Sequence, residues 1–289
     1  MYEGRWTSVE WRIFKGQAAA YNTAACNYSY GFVVPVKTGI AKSEVTIMQV
    51  LNNIYQVLGG SYANIANIFV IKAGNELVLI DSAETEEEYE IILENIKYWG
   101  LEQYPISYVL LSHKHLNHIG NAYRFREMGA GIVAGAMDAQ AIEQGIMTEI
   151  CDFAPFPKKK PYTPCPIDVK AKEGDIIRAG NLSFEVIEVP GHTDGSVFYR
   201  LEMDGKVIYF TGDVLNVDHD CSGALLGWEG GKDYNRDKFF ESVKRFSKFK
   251  CDIILPGHYQ LCLQDGSRIM NDAYRAVLTE WRKPAIVTE

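Results

Sequence analysis

Three histidines stand within six residues in the run His113-Lys114-His115-Leu116-Asn117-His118. Imidazoles buried only for packing would each need a separate hydrogen-bond partner, whereas neutral imidazoles converging on one point are common metal ligands. Three further stretches supply the same kinds of group: Gly191-His192-Thr193-Asp194-Gly195-Ser196, Thr211-Gly212-Asp213 and Pro256-Gly257-His258. Five of the six histidines fall in these places, which scattered surface histidines would not do. His113, His115 and His192 make an open three-imidazole set suited to zinc with water in the fourth position. His118 and His258 serve a second ion, with Asp213 bridging, so that two ions share a hydroxide.

Elements that bring these residues together are legible around them. Each candidate ligand follows an apolar run of β-formers: residues 106–112 before His113, 186–190 before His192, 207–210 before Asp213 and 252–256 before His258. The ligands therefore sit on loops leaving buried strands, the rim where layered α/β folds present side chains to ligands. Glycines beside them permit tight turns and close backbone approach. Upstream, residues 54–58, 66–71 and 77–81 read as strands, with a turn over 72–76. The acidic run 84–88 opens a helix whose face is Tyr89, Ile91, Ile92, Ile96 and Trp99, ending at Gly100; that run is helix capping and not a metal site. Helices are expected over 120–129, 136–149, 235–249 and 267–282, with strands over 131–134, 176–178, 182–189, 196–201 and 251–255. Residues 151–168 hold five prolines and form a loop over the pocket mouth. Residues 1–50 are an aromatic-rich extension (Trp6, Trp11, Phe14, Tyr21, Tyr28, Tyr30, Phe32) that either caps the core or walls the pocket, and residues 51–289 form the main domain.

Composition narrows the function classes. A net charge of −8 over 289 residues, with basic residues dispersed apart from Lys158-Lys159-Lys160, lacks the footprint of a nucleic-acid binder. The first residues carry no signal-peptide pattern, and no apolar run reaches the length of a membrane span, so a cytoplasmic protein without membrane partners is expected. Six cysteines without a CxxC pair fit reduced thiols. The expected partner is a small-molecule substrate, and the oligomeric state stays open, a homo-oligomer included.

Taken in order, the four motifs resemble those of the metallo-β-lactamase superfamily, whose first motif is HxHxDH. The resemblance covers roughly residues 54–260 and implies an αββα sandwich, a four-layer α/β fold (α+β in some schemes) of two mixed sheets with helices outside and metals at one edge. It also implies hydrolysis of an ester, lactone, thioester or amide by a metal-bound hydroxide, with one or two Zn2+ ions and Fe or Mn as alternatives. Thr211-Gly212-Asp213 resembles the glyoxalase II and lactonase type of site, and Cys221 is then structural or pocket-lining. The chain after Asp213 is too short for the extra domain of the nuclease branch. A competing implication is an iron oxidoreductase of the same fold, similar to persulfide dioxygenases.

Asn117 stands where that family has aspartate. An amide is neutral, a weak ligand and no base, so the second ion should bind more weakly. Three readings follow: a native, mainly mononuclear enzyme with compensation from Asp194, Asp218, His219 or Asp220; a catalytically dead binding protein; or an engineered Asp-to-Asn variant of an active hydrolase. Asn117, Asp213 and His219 are the candidate catalytic residues, His219 as a proton donor. Tyr234, Tyr259 and Asp194 are candidate substrate contacts, and Lys114 is expected to point away from the metals.

Overall fold

The computed structural model describes residues 32–33, 46–59, 65–146, 162–227, 229 and 231–280. Most of the N-terminal extension and residues 147–161, which include most of the proline-rich loop, lie outside these, and so do the readings made for them.

Strict alternation along the strands decides the architecture. The first sheet has eight strands in sequence order: β1 (Phe32–Val33), β2 (Thr46–Leu51), β3 (Ile54–Leu58), β4 (Ile68–Ala73), β5 (Glu76–Ile80), β6 (Ile106–Leu111), β7 (Gly131–Gly135) and β8 (Val169–Ala171). Neighbours are antiparallel up to the β4–β5 pair and parallel from β5 to β8. The parallel crossovers are made by α1 (Glu86–Tyr98) and by the helices α2 (Leu116–Ile119), α3 (Ala122–Glu127) and α4 (Ala136–Gln144). Leu77, Leu79, Val109 and Ile132 face α1, α3 and α4 through Ile91, Ile92, Phe125 and Ile142. Their neighbours Val78, Leu110 and Val133 point the other way, as period-2 geometry requires.

That second face meets another sheet. Its strands are β9 (Ile176–Ala179), β10 (Leu182–Glu188), β11 (Val197–Met203), β12 (Lys206–Gly212) and β15 (Ile253–Pro256), in the order β15-β12-β11-β10-β9, with β12–β15 the parallel pair. Phe184, Tyr199 and Phe210 fill the space between the sheets, where the rings of Phe69 and Phe210 lie 5.7 Å apart. On the outer face Phe198, Tyr209 and Ile254 pack on α5 (Arg236–Phe246) and α6 (Gly266–Glu280). The result is helix, sheet, sheet, helix: the four-layer sandwich expected. A small hairpin of β13 (Leu215–Val217) and β14 (Ala224–Leu226) stands beside it.

Local chemistry explains most element ends. Thr85 caps α1 in a reciprocal box with Glu88, so the acidic run does cap a helix. The helix expected over 120–129 is α3, shorter at both ends, and the turn before it that carries Asn117 and His118 is itself a separate short helix, α2, with Gly120-Asn121 between the two. α4 stops at Gly145 in the left-handed region, short of residue 149. β2, assigned no structure from sequence, crosses the expected boundary at residue 51. Among the described residues no helix is long and apolar enough to cross a membrane.

Candidate metal centre

Four strand ends meet at one edge of the sandwich. β6 leads through Ser112 into His113, His115 and, on α2, His118; β10 leads to His192; β12 to Asp213; β15 to His258. Direct bonds join the two sheets at this edge, with Val197 N–H donating to Ser112 O at 2.9 Å and Asn67 N–H to Gly257 O at 2.7 Å. A register shift between Phe210 and Gly212 turns the end of β12 so that Asp213 faces the histidines. Gly257 has no alternative here, since a Cβ on it would lie 2.4 Å from Asp213 Oδ1. His113, His118, His192, Asp213 and His258 are buried, and His115 and Asn117 are half-buried.

Two ligand sets share one carboxylate. In the first, His115 Nδ1 lies 3.0 Å from both His113 Nε2 and His192 Nε2, and each of those two is 3.8 Å from Asp213 Oδ2. In the second, His118 Nε2 is 3.3 Å from His258 Nε2 and 3.2 Å from Asp213 Oδ1, with His258 Nε2 3.4 Å from Asp213 Oδ2. Within each set all candidate ligand atoms lie within 4.8 Å of one another. Nitrogens about 2.0–2.1 Å from a tetrahedral ion are roughly 3.3 Å apart, so these separations fit a metal.

Outer partners fix which nitrogen is offered. Asp81, at a left-handed φ of 62° just past β5, accepts from Ser112 N–H at 2.7 Å, from Ser112 Oγ at 2.8 Å and from His118 Nδ1 at 2.8 Å. Ser112 Oγ, its proton given to Asp81, accepts from His113 Nδ1 at 3.0 Å. His258 Nδ1 donates to Ile65 O at 3.1 Å. Nε2 of His113, His118 and His258 is thereby the nitrogen turned inward, the orientation control found around metal-binding histidines. Burial, reinforced by neighbouring histidines, holds His113 and His115 well below the usual histidine range, hence neutral. Burial also disfavours charge on His118, but Asp213 and Asp81 outweigh it and push its pKa up to about 10. Asp213 is held well below the carboxylate range, because His118 and His258 outweigh its own burial. A proton or a cation between His118 Nε2 and Asp213 Oδ1 answers both groups.

The remaining candidates are distributed around this cluster. Asn117 Nδ2 donates to His258 Nε2 at 2.9 Å, on the atom that faces the second set. Tyr259, in the left-handed region at φ 61°, places its ring between those of His258 and the exposed His219, 6.3 and 5.3 Å away. Asp194 pairs with Lys238 at 2.7 Å and does not join the ligands, and the Tyr234 ring packs on Phe239. Asp218 accepts from Ser222 Oγ at 2.8 Å, and Cys221 reaches toward Leu261 O. Lys114 turns its amine to Asp233 at 2.9 Å. Sequence reasoning missed Asp81, Asn67 and Asp138, all buried around the ligand loops. Only Asp81 had a signal, as a carboxylate closing an apolar strand run.

The profile described as the metallo-beta-lactamase superfamily matches residues 62–258, which include every ligand candidate above. The chain belongs to the metallo-beta-lactamase superfamily. Among curated relatives it is similar to an atrochrysone carboxyl ACP thioesterase of Aspergillus fumigatus, 23% identical over 210 residues, covering 71% of this chain and 55% of that protein. It is also similar to a hydroxyacylglutathione hydrolase of Cereibacter sphaeroides, 28% identical over 144 residues, covering 50% of this chain and 44% of that one. The chain thus spans about half the length of these two relatives. Among solved structures it shares the fold of BJP-1, a subclass B3 metallo-beta-lactamase of Bradyrhizobium japonicum, with a TM-score of 0.61, 22% identity and coverage of 79% and 89% of the two chains. Metal-dependent hydrolysis is the chemistry of the superfamily at this level, and this chain has the His/Asp groups to hold a metal.

Proposed function

We propose that this protein is a hydrolase of small acyl compounds, acting on an ester, lactone, thioester or amide at a zinc centre in the cytoplasm. Two ligand sets sharing Asp213 at the rim of the sandwich carry this reading. His113, His115, His192 and Asp213 would hold the first ion, and His118, His258 and Asp213 the second. When bound, such ions supply Lewis acidity and a nucleophile at neutral pH.

The chain's own groups shape the rest. Burial of the cluster excludes bulk water and strengthens each electrostatic contact inside it. Asp81, through Ser112 to His113 and directly to His118, holds their Nδ1 atoms and so turns Nε2 toward the ligand sets. Asn117 is neutral and already bonded to His258 Nε2, which favours a tight first ion and a weaker second one. Thioesters lead among the substrates, on the printed name of the Aspergillus relative, a thioesterase.

The test is metal content of the purified chain by mass spectrometry, together with hydrolysis of a panel of aryl esters, lactones, acyl thioesters and a β-lactam before and after chelation. Zinc at one or more per chain with chelator-sensitive acid release is expected. Tightly bound iron with oxygen consumption and no hydrolysis would replace this reading with an oxidoreductase. Ligand binding without turnover, even in Asn117→Asp, would replace it with a binding protein.

A further inference from the structure

Asp138 is fully buried on the first turn of α4, a helix that supplies no ligand. Its carboxylate nevertheless reaches both loops of the first ligand set. Oδ2 accepts from the backbone N–H of Lys114, between His113 and His115, at 3.0 Å, and from Thr193 Oγ1, next to His192, at 2.6 Å. Oδ1 accepts from Gly195 N–H at 3.0 Å. Lys114 Nζ stands 3.9 Å from Oδ1 and balances the buried charge.

The backbone is built around this contact. A Cβ on Gly195 would meet Asp138 N at 2.3 Å and Asp138 Cγ at 2.6 Å, so only glycine lets the loop come this close. Thr193 Oγ1 also lies 2.8 Å from Ser196 Oγ, which accepts from Thr193 N–H, and the His192 loop is thereby closed on itself.

None of these bonds reaches the second set. His118 is held by Asp81 and by Ser82, whose N–H and Oγ both donate to His118 O. His258 is held by Ile65 O and by Asn216 Oδ1, which accepts from His258 N–H at 3.1 Å. Asp81 touches both sets, through Ser112 to His113 and directly to His118, whereas the bonds of Asp138 go only to the two loops of the first set.

We propose that Asp138 is a positioning residue that locks the His113/His115 loop to the His192 loop, so that it sets metal affinity at the first set and not at the second. The proposal rests on the metal reading above. A carboxylate fits because it accepts at three points at once; an amide in its place would turn a donor toward at least one N–H or O–H.

The test uses the full-length chain, stripped with chelator and titrated with Co2+ against a chromophoric competitor, with the visible Co2+ spectrum recorded. His258→Ala leaves the first set intact, and His115→Ala leaves the second. Asp138→Asn in the His258→Ala background is expected to weaken Co2+ binding on the order of tenfold to a hundredfold and to alter the spectrum. In the His115→Ala background it should change neither. Thr193→Val, which removes one of the three contacts, should give a smaller loss in the first background only, and it carries the test if Asp138→Asn does not fold. Equal weakening in both backgrounds would make Asp138 a general structural residue and overturn the proposal, as would unchanged affinity in the first. Absence of Co2+ binding by the parent chain would overturn the metal reading itself.

Discussion

Asn117 is the residue on which the proposed balance of the two candidate ligand sets turns. Its amide bonds to His258 Nε2 where a carboxylate would bring charge and basicity. Asn117→Asp is expected to raise the metal bound per chain and to increase hydrolysis on the order of 10²–10⁴-fold, the usual contribution of a positioned base; metal analysis and a thioester assay on both proteins check it, and no change in either would clear Asn117. Asp81→Asn removes the partner of His118 and Ser112 and should cost on the order of tenfold to a hundredfold in metal affinity, read by chelator competition. The metal-stripped protein has a pH signature as well. His118 has a folded pKa of about 10 against about 6.5 when unfolded, so the folded state binds the extra proton between those values. The stabilisation is complete below the lower value and is lost as pH rises toward the upper. Thermal melts in chelator should therefore fall from pH 7 to pH 9, and a flat or rising midpoint would show that His118 is not so held.

At the scale of elements, the connections between strands matter more than the strands. Asn67, at the entry to β4, is buried; its Nδ2 donates to Pro256 O and Tyr259 O, and its Oδ1 accepts from Gln56 Nε2 at 2.8 Å. It ties the first sheet to the turn that presents His258. Asn67→Leu strands these partners and should cost about 1–3 kcal/mol for an unsatisfied group, measured by chemical denaturation, and it should also loosen the second ligand set. α1, the strands leading to each candidate ligand and the convergence of those candidates were readable because capping, period-2 alternation and glycine placement are local signals. Asn67 was not, because its partners lie up to 192 residues away. The short helix α2 was likewise invisible, since it forms within the stretch that carries the candidate ligands.

At the largest scale, the described residues form two main sheets bonded at one edge by Ser112, Val197, Asn67 and Gly257, beside the residues that would hold metal. The centre of this sandwich is the layer around Phe69 and Phe210, and Phe210→Ala should cost about 3–5 kcal/mol of stability by cavity formation. Ligands come from both sheets, so a bound ion clamps the sandwich shut. At free metal about 100 times Kd this linkage is worth about 2.7 kcal/mol, and at roughly 2–4 °C per kcal/mol chelation should lower the melting midpoint by roughly 5–11 °C in calorimetry. A midpoint indifferent to chelator would place any metal away from the sheet junction. The sequence by itself determined the candidate ligand residues and the strands that deliver them, because residue type, β-alternation and glycine position are written along the chain, while the four-layer class followed from the resemblance of the motifs to those of the superfamily. Only the tertiary structure decided that Asn117 sits on His258, and that Asp81, Asn67 and Asp138 anchor the loops of the candidate ligands. Those are pairings of buried polar groups distant in sequence, and burial creates the need for a partner without specifying which residue supplies it.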